Sequence, residues 1–256
     1  MVERVKAAQR TQEVIVATTH LQEDDVIERI CVKEGLTCFR GHPTDLLDRH
    51  YQAALLHQAD AVAKIPSDCP LIDPKIIDRV FDFYIKNHER FDYVSNLHPP
   101  TYPDGNDVEI MSFSSLQTAW REARKDYERE HTTPFLWDQP HRFRIGNLLW
   151  EKGLDCSKTH RWTLDYEEDY LLIRTIFEEL YPRHPHFTIE EILDLEARRP
   201  EITLLNKRYL GLNWYRHVPG GLRTIQSEPE GIKRSDPIHD AIPLRRGRER
   251  GRIEGV

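Results

Sequence analysis

The chain has 256 residues, of which 39% are hydrophobic and 9% aromatic, enough for one main domain with a substantial core. Its net charge of -7 argues against a nucleic-acid binder, which needs a basic face. No apolar run approaches the roughly 20 residues that span a bilayer, and the charged N-terminus lacks the apolar core of a secretory signal. We therefore expect a cytoplasmic protein without nucleic-acid or membrane partners.

The first third of the chain alternates strand and helix patterns. The β-branched run EVIVAT predicts a strand over 13–18, and the following LQEDDVIERICVKEG predicts a helix. The alternation continues through LTCF, TDLLDRHYQAALLHQ, DAVAKI and DPKIIDRVFDFYIKN, where Asp73 is suited to cap the last helix and Pro74 to open it. Strands alternating with helices predict an α/β fold with a mostly parallel sheet and helices on both faces.

The rest of the chain is predicted to add strands at FDYVSN, DVEIMS and HRFRIGN, helices at SFSSLQTAWREAR and EREHTTPFLWD, and a short extended piece at RWTL. Two further helices follow, and the second opens with a capping box of Thr188 and Glu191. The periodic pattern fades after about residue 210. We expect one domain over 1–215 and a Pro-, Gly- and Arg-rich tail over 216–256 that is too poor in apolar residues to order itself.

Polar residues follow several predicted parallel strands, and ligands collect at the carboxyl ends of such strands. These residues are Thr18, Thr19, His20, Arg40, Gly41, Ser67, Asp68 and Asp165. Asp68 and Asp165 form the pair that we place around a divalent cation, because Mg²⁺ prefers one or two carboxylates with waters and substrate phosphates. The combination suits phosphoryl or nucleotidyl transfer.

Structural explanations stand beside these assignments. Asp68 precedes Cys69-Pro70 and is placed to cap a turn, whereas Asp165 and Glu168 are spaced as a capping box at a helix start. The sequence has no GxGxxG, no GxxxxGK[ST] and no GxSxG, which argues against a dinucleotide oxidoreductase and excludes P-loop and nucleophile-elbow enzymes.

Two further segments carry polar residues in clusters. PTYPDGNDVEI, at 100–110, supplies Asp104, Asp107 and Glu109 around a glycine, and fits a loop over a polyhydroxy substrate or a simple turn. EREHTTP supplies Arg129, His131 and Thr132 on a helix that either faces a ligand or lies on the surface.

The ordered segments VIVATT, EDDVIE, FRGHPTDLLDRHYQAA, DCPLIDP, DYVSN, PPTYPDGNDVEI, EREHTTPF and HRWTLDYEEDY resemble the cytidylyltransferase family. The resemblance covers about residues 2–215 and is to the spore coat polysaccharide biosynthesis (SpsF-like) branch, which is related to the enzymes that make CMP-sugars. It implies a nucleotide-diphospho-sugar-transferase-like fold, CTP and a sugar as substrates, Mg²⁺ as cofactor and a homodimer.

The resemblance also implies roles for single residues. Asp68 lies at the family's GDxPLI aspartate and Asp165 at its LDxPEDxE aspartate, so both become catalytic metal ligands. The resemblance assigns the nucleotide to Arg40, Gly41, Asp48 and Arg49, and the sugar side to Asp104, Glu109, Arg129 and His131. The implied reaction is attack of a sugar hydroxyl on the α-phosphate of CTP, with pyrophosphate leaving.

The chain departs from the family pattern at three places. Ser67 replaces the glycine before Asp68, and Glu167 replaces the proline of LDYPED. The sequence opens at MVERVKAAQR, which matches the family's first helix, so the first strand and the phosphate-binding loop QARxxSxRLPGK are expected to be missing. We therefore expect an N-terminally truncated fold with unpaired strand edges: a sequence recorded from too late a start, a fragment, or a reduced form that cannot turn over. The missing loop also leaves open a noncatalytic domain that binds a nucleotide sugar or a partner. A glycosyltransferase is a separate alternative, although SDCP is not the DxD motif that it would need.

Overall fold

The computed structural model of the protein describes residues 1–214 and 253–255, which form a mixed α/β domain around one seven-stranded sheet. The strand order is β2-β1-β7-β3-β5-β4-β6. The strands are β1 Glu13–Thr19, β2 Thr37–Gly41, β3 Ala61–Lys64, β4 Tyr93–Ser95, β5 Glu109–Ser112, β6 Ile145–Asn147 and β7 Ile253–Gly255.

Most strand pairs are parallel, as the alternating pattern predicts. β1 pairs in parallel with β2 and β7, β3 with β7, and β4 with β6, whereas β5 runs antiparallel to both β3 and β4. The reversal has a local cause, because a parallel connection needs a crossover that is usually a helix. The segment between β4 and β5 contains no helix.

The strand β7 lies at the centre of the sheet, parallel to both neighbours. Its Glu254 is opposite Glu13 on β1 and Val62 on β3. The unpaired edges expected between β1 and β3 are therefore hydrogen-bonded to this short strand. Residues 253–255 belong to the stretch predicted as a tail over 216–256, whose other residues lie outside the described part of the chain.

Helices cover both faces of the sheet. They are α1 Val2–Lys6, α2 Asp25–Glu34, α3 Leu46–Leu56, α4 Pro74–Asn87, α5 Phe113–Glu122, α6 Asp126–His131, α7 Pro134–Trp137, α8 Glu167–Leu180 and α9 Ile189–Arg198, with 3-10 turns at Gln22–Asp24 and Lys207–Tyr209. Among the described residues, no helix is long and apolar enough to cross a membrane.

Alternate residues of β3 separate the core into two layers. Ala61 and Ala63 pack into a cluster with side chains of α4, α8 and α9, whereas Val62 packs into a second cluster with side chains of α3, α5 and α7. This period of two is what a strand buried on both faces requires. The predicted α/β class with helices on both faces is confirmed.

Local sequence signals explain where several helices begin and end. Asp73 accepts a hydrogen bond from the Lys75 amide with Pro74 in the first turn, and the capping box of Thr188 and Glu191 is present at α9. The helix predicted over EREHTTPFLWD is instead divided into α6 and α7 at Thr132, whose φ is +69°. Pro134 explains the division, because proline lacks an amide proton and disfavours helical backbone in the residue before it.

A buried arginine joins α1 to the segment after β3. The Arg4 guanidinium donates to the backbone carbonyls of Ile72 at 2.8 Å, Leu71 at 3.3 Å and Phe187 at 2.6 Å. Burial lowers the pKa of Arg4 to about 10, against the opposing charge of Asp73. The contacts fix the backbone just beyond Asp68, at the carboxyl end of β3.

Candidate active site

The structure brings the two predicted metal ligands together. Asp68 lies four residues beyond the end of β3, and its carbonyl accepts a hydrogen bond of 2.8 Å from the Leu164 amide, which joins it to the segment that carries Asp165. Burial, and then the negative charge of Asp165, raise the pKa of Asp68. The two carboxylates, on segments joined by a backbone hydrogen bond, therefore lie close enough beyond the carboxyl end of β3 for their charges to interact.

The capping explanation for Asp165 is wrong. The first turn of α8 is capped by Asp169, whose carboxylate accepts hydrogen bonds of 3.1 Å from the backbone amides of Asp165 and Tyr166. The Asp165 side chain is 48% exposed and forms an ion pair with Arg161 instead. At Asp68, the carboxylate accepts a weak hydrogen bond of 3.6 Å from the Cys69 thiol and one from its own backbone, so a turn explains its position only in part.

A glycine allows the acidic loop to reach this pair. The Trp162 amide donates to the Asp104 carbonyl at 2.8 Å, and the Asp104 amide donates to the His160 carbonyl at 3.0 Å. Gly105 has φ of +101°, and a Cβ atom there would lie 2.7 Å from the Trp162 carbonyl carbon. Only glycine permits this close approach, which places Asp104 beside the segment of Asp165.

One buried arginine faces several of these carboxylates. The Arg161 side chain is 2% exposed and forms ion pairs with Asp104 at 3.4 Å, with Asp169 at 3.1 Å and with Asp165. Burial nevertheless raises the pKa of Asp104 to about 6, against the charge of Arg161 and with the help of Asp165 and Asp68. Burial and the charges of Asp104 and Asp68 also raise the pKa of Asp107 well above its usual range. Negative charge is therefore in excess, as at a site for a cation.

The donor set matches the chemistry of magnesium. Within residues 1–214 and 253–255, no three or more His, Cys, Asp or Glu side chains are arranged as a complete metal cage. Mg²⁺ does not need one, because it usually keeps several waters and binds one or two carboxylates together with substrate phosphates. Asp68 and Asp165 fit that pattern, and their assignment to a metal stays a prediction.

Glu109 and Lys64 form a buried ion pair next to the carboxylate cluster. The Lys64 ammonium lies 2.7 Å from Glu109 Oε1, and Glu109 Oε2 accepts a hydrogen bond of 2.5 Å from the Tyr93 hydroxyl. Burial alone would raise the pKa of Glu109, but Lys64 outweighs it and the pKa is lowered. Conversely, Glu109 and Asp107 raise the pKa of Lys64 against the effect of burial. Both groups are therefore charged inside the protein.

The other predicted sugar-side residues differ in their surroundings. His131 stacks on Trp214 with 3.8 Å between ring centroids, and burial lowers its pKa, with a further contribution from the charge of Lys64. Arg129 is engaged within the fold, because its guanidinium donates to Asp45 at 2.5 and 2.8 Å and to the Trp120 carbonyl at 2.8 Å. Its direct contact with a sugar stays a prediction.

The predicted nucleotide-side residues lie around a groove of about 630 Å³ beside β2. The groove is lined by His20, Phe39, Arg40, Gly41, His42, Asp48, Gln52, Leu55 and Leu56. Three of the four predicted residues thus contribute to one surface, while Arg49 packs behind it with 9% exposure.

The charged groups of this groove are bonded within the chain. Arg40 forms ion pairs of 2.7 Å with Asp25 and Glu28 and donates to the carbonyls of Thr19 and Leu21. Asp48 accepts hydrogen bonds from Trp120 Nε1 at 2.8 Å and Gln52 Nε2 at 3.1 Å. These contacts hold the connections after β1 and β2 in place, so the groove is shaped by the side chains assigned to the nucleotide.

Sequence reasoning missed Lys64 and Arg161. A lysine inside the apolar run DAVAKI was a signal, since lysine is almost never buried without a partner. The arginine of RWTL was a weaker signal.

Comparisons with known proteins show which family the chain belongs to. A family model described as "Cytidylyltransferase" matches residues 1–207. An uncharacterised protein of Methanocaldococcus jannaschii is 32% identical over 209 residues, which are 80% of this chain and 82% of that protein. The spore coat polysaccharide biosynthesis protein SpsF of Bacillus subtilis is 25% identical over 188 residues, 73% of this chain and 75% of that protein.

A solved structure supports the same family assignment. The structure of a cytidylyltransferase from Leptospira borgpetersenii serovar Hardjo-bovis superposes with a TM-score of 0.74 at 32% identity, covering 79% of this chain and 83% of that one. The family model spans most of the chain and the fold matches a member at more than 30% identity. The chain belongs to the cytidylyltransferase family.

Proposed function

We propose that the protein transfers CMP from CTP to a hydroxyl of a sugar in the biosynthesis of a surface or spore coat polysaccharide. The observation that carries this proposal is the interacting pair Asp68 and Asp165, with Asp104 adding negative charge beside it. Membership of the cytidylyltransferase family supports CTP as the donor, and the similarity to SpsF supports the polysaccharide context.

In the proposed reaction, a bond forms between the sugar hydroxyl oxygen and the α-phosphorus of CTP. The bond from that phosphorus to the bridging oxygen breaks, pyrophosphate leaves with the electron pair, and the hydroxyl proton passes to solvent or a carboxylate. Asp68 and Asp165 would hold Mg²⁺, which when bound would supply positive charge to the phosphate oxygens. No covalent enzyme intermediate is required.

The remaining residues are proposed to bind the substrates and to orient the carboxylates. Arg161 fixes Asp165 and Asp104 through its ion pairs, so that the carboxylates are preorganised before substrates arrive. The groove of His20, Arg40, Gly41 and Asp48 is proposed to take the nucleoside, with Arg49 supporting its wall. The polar group of Lys64 and Glu109, with His131 beside it, is proposed to face the sugar.

Release of pyrophosphate tests the proposal. The full chain is incubated with CTP and Mg²⁺ and, in parallel reactions, with neutral aldoses, amino sugars and 2-keto sugar acids. We expect release that depends on CTP, on Mg²⁺ and on one class of sugar, with ATP, GTP and UTP as poor donors. Binding of CTP by calorimetry without pyrophosphate release from any sugar would contradict the proposal and favour a noncatalytic nucleotide-binding domain.

A further inference from the structure

Asp107 is a carboxylate of the cluster to which the proposed function gives no role. It lies two residues before β5, on the acidic loop that carries Asp104. Among residues 1–214 and 253–255, its side chain forms no hydrogen bond and no ion pair. A partly buried carboxylate normally accepts several hydrogen bonds, because its charge is costly to leave without them. The acceptor positions that the fold leaves unused at Asp107 therefore call for a cause.

The backbone on both sides of Asp107 is fixed by one side chain. Asn96 donates from Nδ2 to the Asn106 carbonyl at 2.7 Å and accepts at Oδ1 from the Val108 amide at 3.0 Å. Asn106 and Val108 are both fully buried. Because both neighbours are held, the carboxylate of Asp107 is positioned before any ligand binds, which is the preorganisation that a catalytic group needs.

The Asp107 carboxylate lies close to the proposed metal ligands and is open to solvent. The Cys69 thiol donates to Asp68 at 3.6 Å, and its sulfur is hydrogen-bonded to the Asp107 backbone. Asp68, Asp104 and Asp107 are partly exposed, and the oxygens of Asp107 are not among the fully buried ones. The side chain of Asp165 is 48% exposed. A substrate can therefore reach this group of carboxylates.

The neighbouring carboxylates already have partners. Glu109 is 3% exposed, and the Lys64 ammonium lies 2.7 Å from its Oε1. Asp104 pairs with Arg161 at 3.4 Å. The two proposed metal ligands are assigned to the cation. Within the part of the cluster that the structure describes, Asp107 is thus the carboxylate left to interact with a reacting group of the substrate.

The surroundings of Asp107 suit a proton acceptor. Burial and the charges of Asp104 and Asp68 raise its pKa well above the usual range, against the charge of Lys64. A carboxylate with a raised pKa takes a proton from a hydroxyl more readily than an ordinary aspartate does. A sugar hydroxyl must lose its proton when its oxygen bonds to phosphorus, so the proposed reaction needs such an acceptor.

We propose that Asp107 is the catalytic base that accepts the proton of the attacking sugar hydroxyl. The inference rests on the proposed function and assigns its proton to one carboxylate. As the hydroxyl oxygen bonds to the α-phosphorus of CTP, the O–H bond breaks, its electron pair stays on that oxygen and the proton moves to an Asp107 oxygen. Pyrophosphate leaves with the electron pair of the broken P–O bond, and Asp107 then releases the proton to solvent.

The test compares Asp107→Asn, Asp107→Ala and the control Asp194→Asn, which changes an exposed aspartate of α9. Pyrophosphate release is measured at saturating CTP and Mg²⁺, with the sugar that wild type uses among neutral aldoses, amino sugars and 2-keto sugar acids. We expect the kcat of Asp107→Asn to fall at least about 100-fold. The Kd of CTP in the presence of Mg²⁺, measured by calorimetry, should stay unchanged. Asp194→Asn should match wild type in both quantities.

Two further measurements separate a catalytic base from a structural aspartate. Formate is a small carboxylate that can enter the space vacated in Asp107→Ala. It should raise the kcat of that variant, relative to chloride at the same ionic strength, and should not raise that of wild type. Because Asp107→Asn removes one of several like charges, it should unfold at a urea concentration equal to or above that of wild type.

Several results would overturn the inference while leaving the proposed function intact. They are an unchanged kcat or a clear loss of stability in Asp107→Asn, and no effect of formate on Asp107→Ala. Recovery of kcat in Asp107→Asn at higher Mg²⁺ concentration would also overturn it, because Asp107 would then be a further ligand of the cation. Absence of pyrophosphate release by wild type with every sugar would instead contradict the proposed function and, with it, the role of Asp107.

Discussion

The groove beside β2 and the carboxylate cluster beyond β3 both follow the carboxyl ends of parallel strands, but their charged groups are stabilised very differently. In the groove, Arg40 has two carboxylate partners and two carbonyl partners. In the cluster, the pKa of Asp68 is raised by burial and by Asp165, and the pKa of Asp104 is raised to about 6.

The difference separates charged groups that are stabilised by bonds within the fold from charged groups that a bound ligand would stabilise. A charge whose bonds are complete within the chain contributes to structure and gains little from a ligand. Carboxylates held close together at a cost in free energy are stabilised when a cation binds, which is why shifted pKa values concentrate at functional sites. The cluster is therefore where we expect substitution to change the chemical step, and the groove where we expect it to change stability and, through the shape of the groove, the binding of the nucleoside.

Substitution of the interacting carboxylates should have the largest effect. In Asp68→Asn and Asp165→Asn, we expect turnover to fall about a thousandfold. The amide carries no negative charge, so it neither binds a metal ion well nor contributes to the preorganised charge of the site. The stability of Asp68→Asn should not fall, since the charged form of Asp68 is already disfavoured by its surroundings. Asp165→Asn removes a half-exposed partner of Arg161, which keeps Asp104 and Asp169, so its free energy of unfolding should fall by no more than about 1 kcal/mol. Pyrophosphate release and urea unfolding measure the two quantities.

Glu167→Gln is the matched control for this pair, because Glu167 is exposed and lies two residues from Asp165. Its turnover should equal that of wild type. A collapse of thermal stability in both asparagine variants would contradict the functional assignment and restore a structural explanation for the two aspartates.

Removal of Arg49 should have the next largest effect, on stability. The Arg49 guanidinium donates to the carbonyls of His42, Pro43 and Ala17, at 2.8, 2.8 and 3.4 Å. Arg49→Met keeps the aliphatic stem and leaves these oxygens without a donor, so the free energy of unfolding should fall by about 4 kcal/mol. Urea unfolding measures the change. Unaltered stability with weaker CTP binding would show instead that Arg49 contacts the nucleotide.

A smaller effect is expected at Glu196, a buried carboxyl outside the cluster. Glu196 Oε1 accepts from Trp162 Nε1 at 3.0 Å, while Oε2 is buried with no hydrogen-bond partner in the described chain and lies 3.6 Å from His160 Nε2. Burial raises the pKa of Glu196 to about 7. Between pH 4.5 and 7 the folded protein keeps a proton that the unfolded chain releases, so this residue lowers stability as pH rises through that window.

Glu196→Gln removes the titration. Relative to wild type, the variant should gain little stability at pH 4.5 and about 3 kcal/mol at most above pH 7. Urea unfolding at pH 5 and pH 8 measures the two differences. A gain that is the same at both values of pH would show that the carboxyl is not held protonated by its surroundings.

Features that depend on local sequence could be predicted, and features that depend on distant partners could not. The β-branched runs and the caps at Asp73 and Thr188 act within a few residues, so strands and helices were foreseen. The central position of β7 was not, because three residues carry no periodic pattern and their pairing depends on β1 and β3.

The residues of the candidate site likewise include some that local sequence predicts and some that depend on distant partners. Asp68 and Asp165 were identified because they follow strand-like segments in recognisable motifs. The cap of α8 by Asp169 was missed because Asp165 and Asp169 both lie near the start of the helix. Arg161 and Asn206, which also bind Asp169, hold its carboxylate at the capping position. Lys64 was missed because its partner Glu109 lies 45 residues away in the chain.

The most direct test of the central claim is the dissociation constant of CTP, measured by calorimetry with and without Mg²⁺, for wild type and for the Asp68→Asn, Asp165→Asn double variant. If the interacting carboxylates hold a metal with the nucleotide, Mg²⁺ should tighten CTP binding to wild type at least tenfold and should have no such effect on the double variant. Equal CTP affinity with and without Mg²⁺ in wild type, or an equal gain in both proteins, would contradict it.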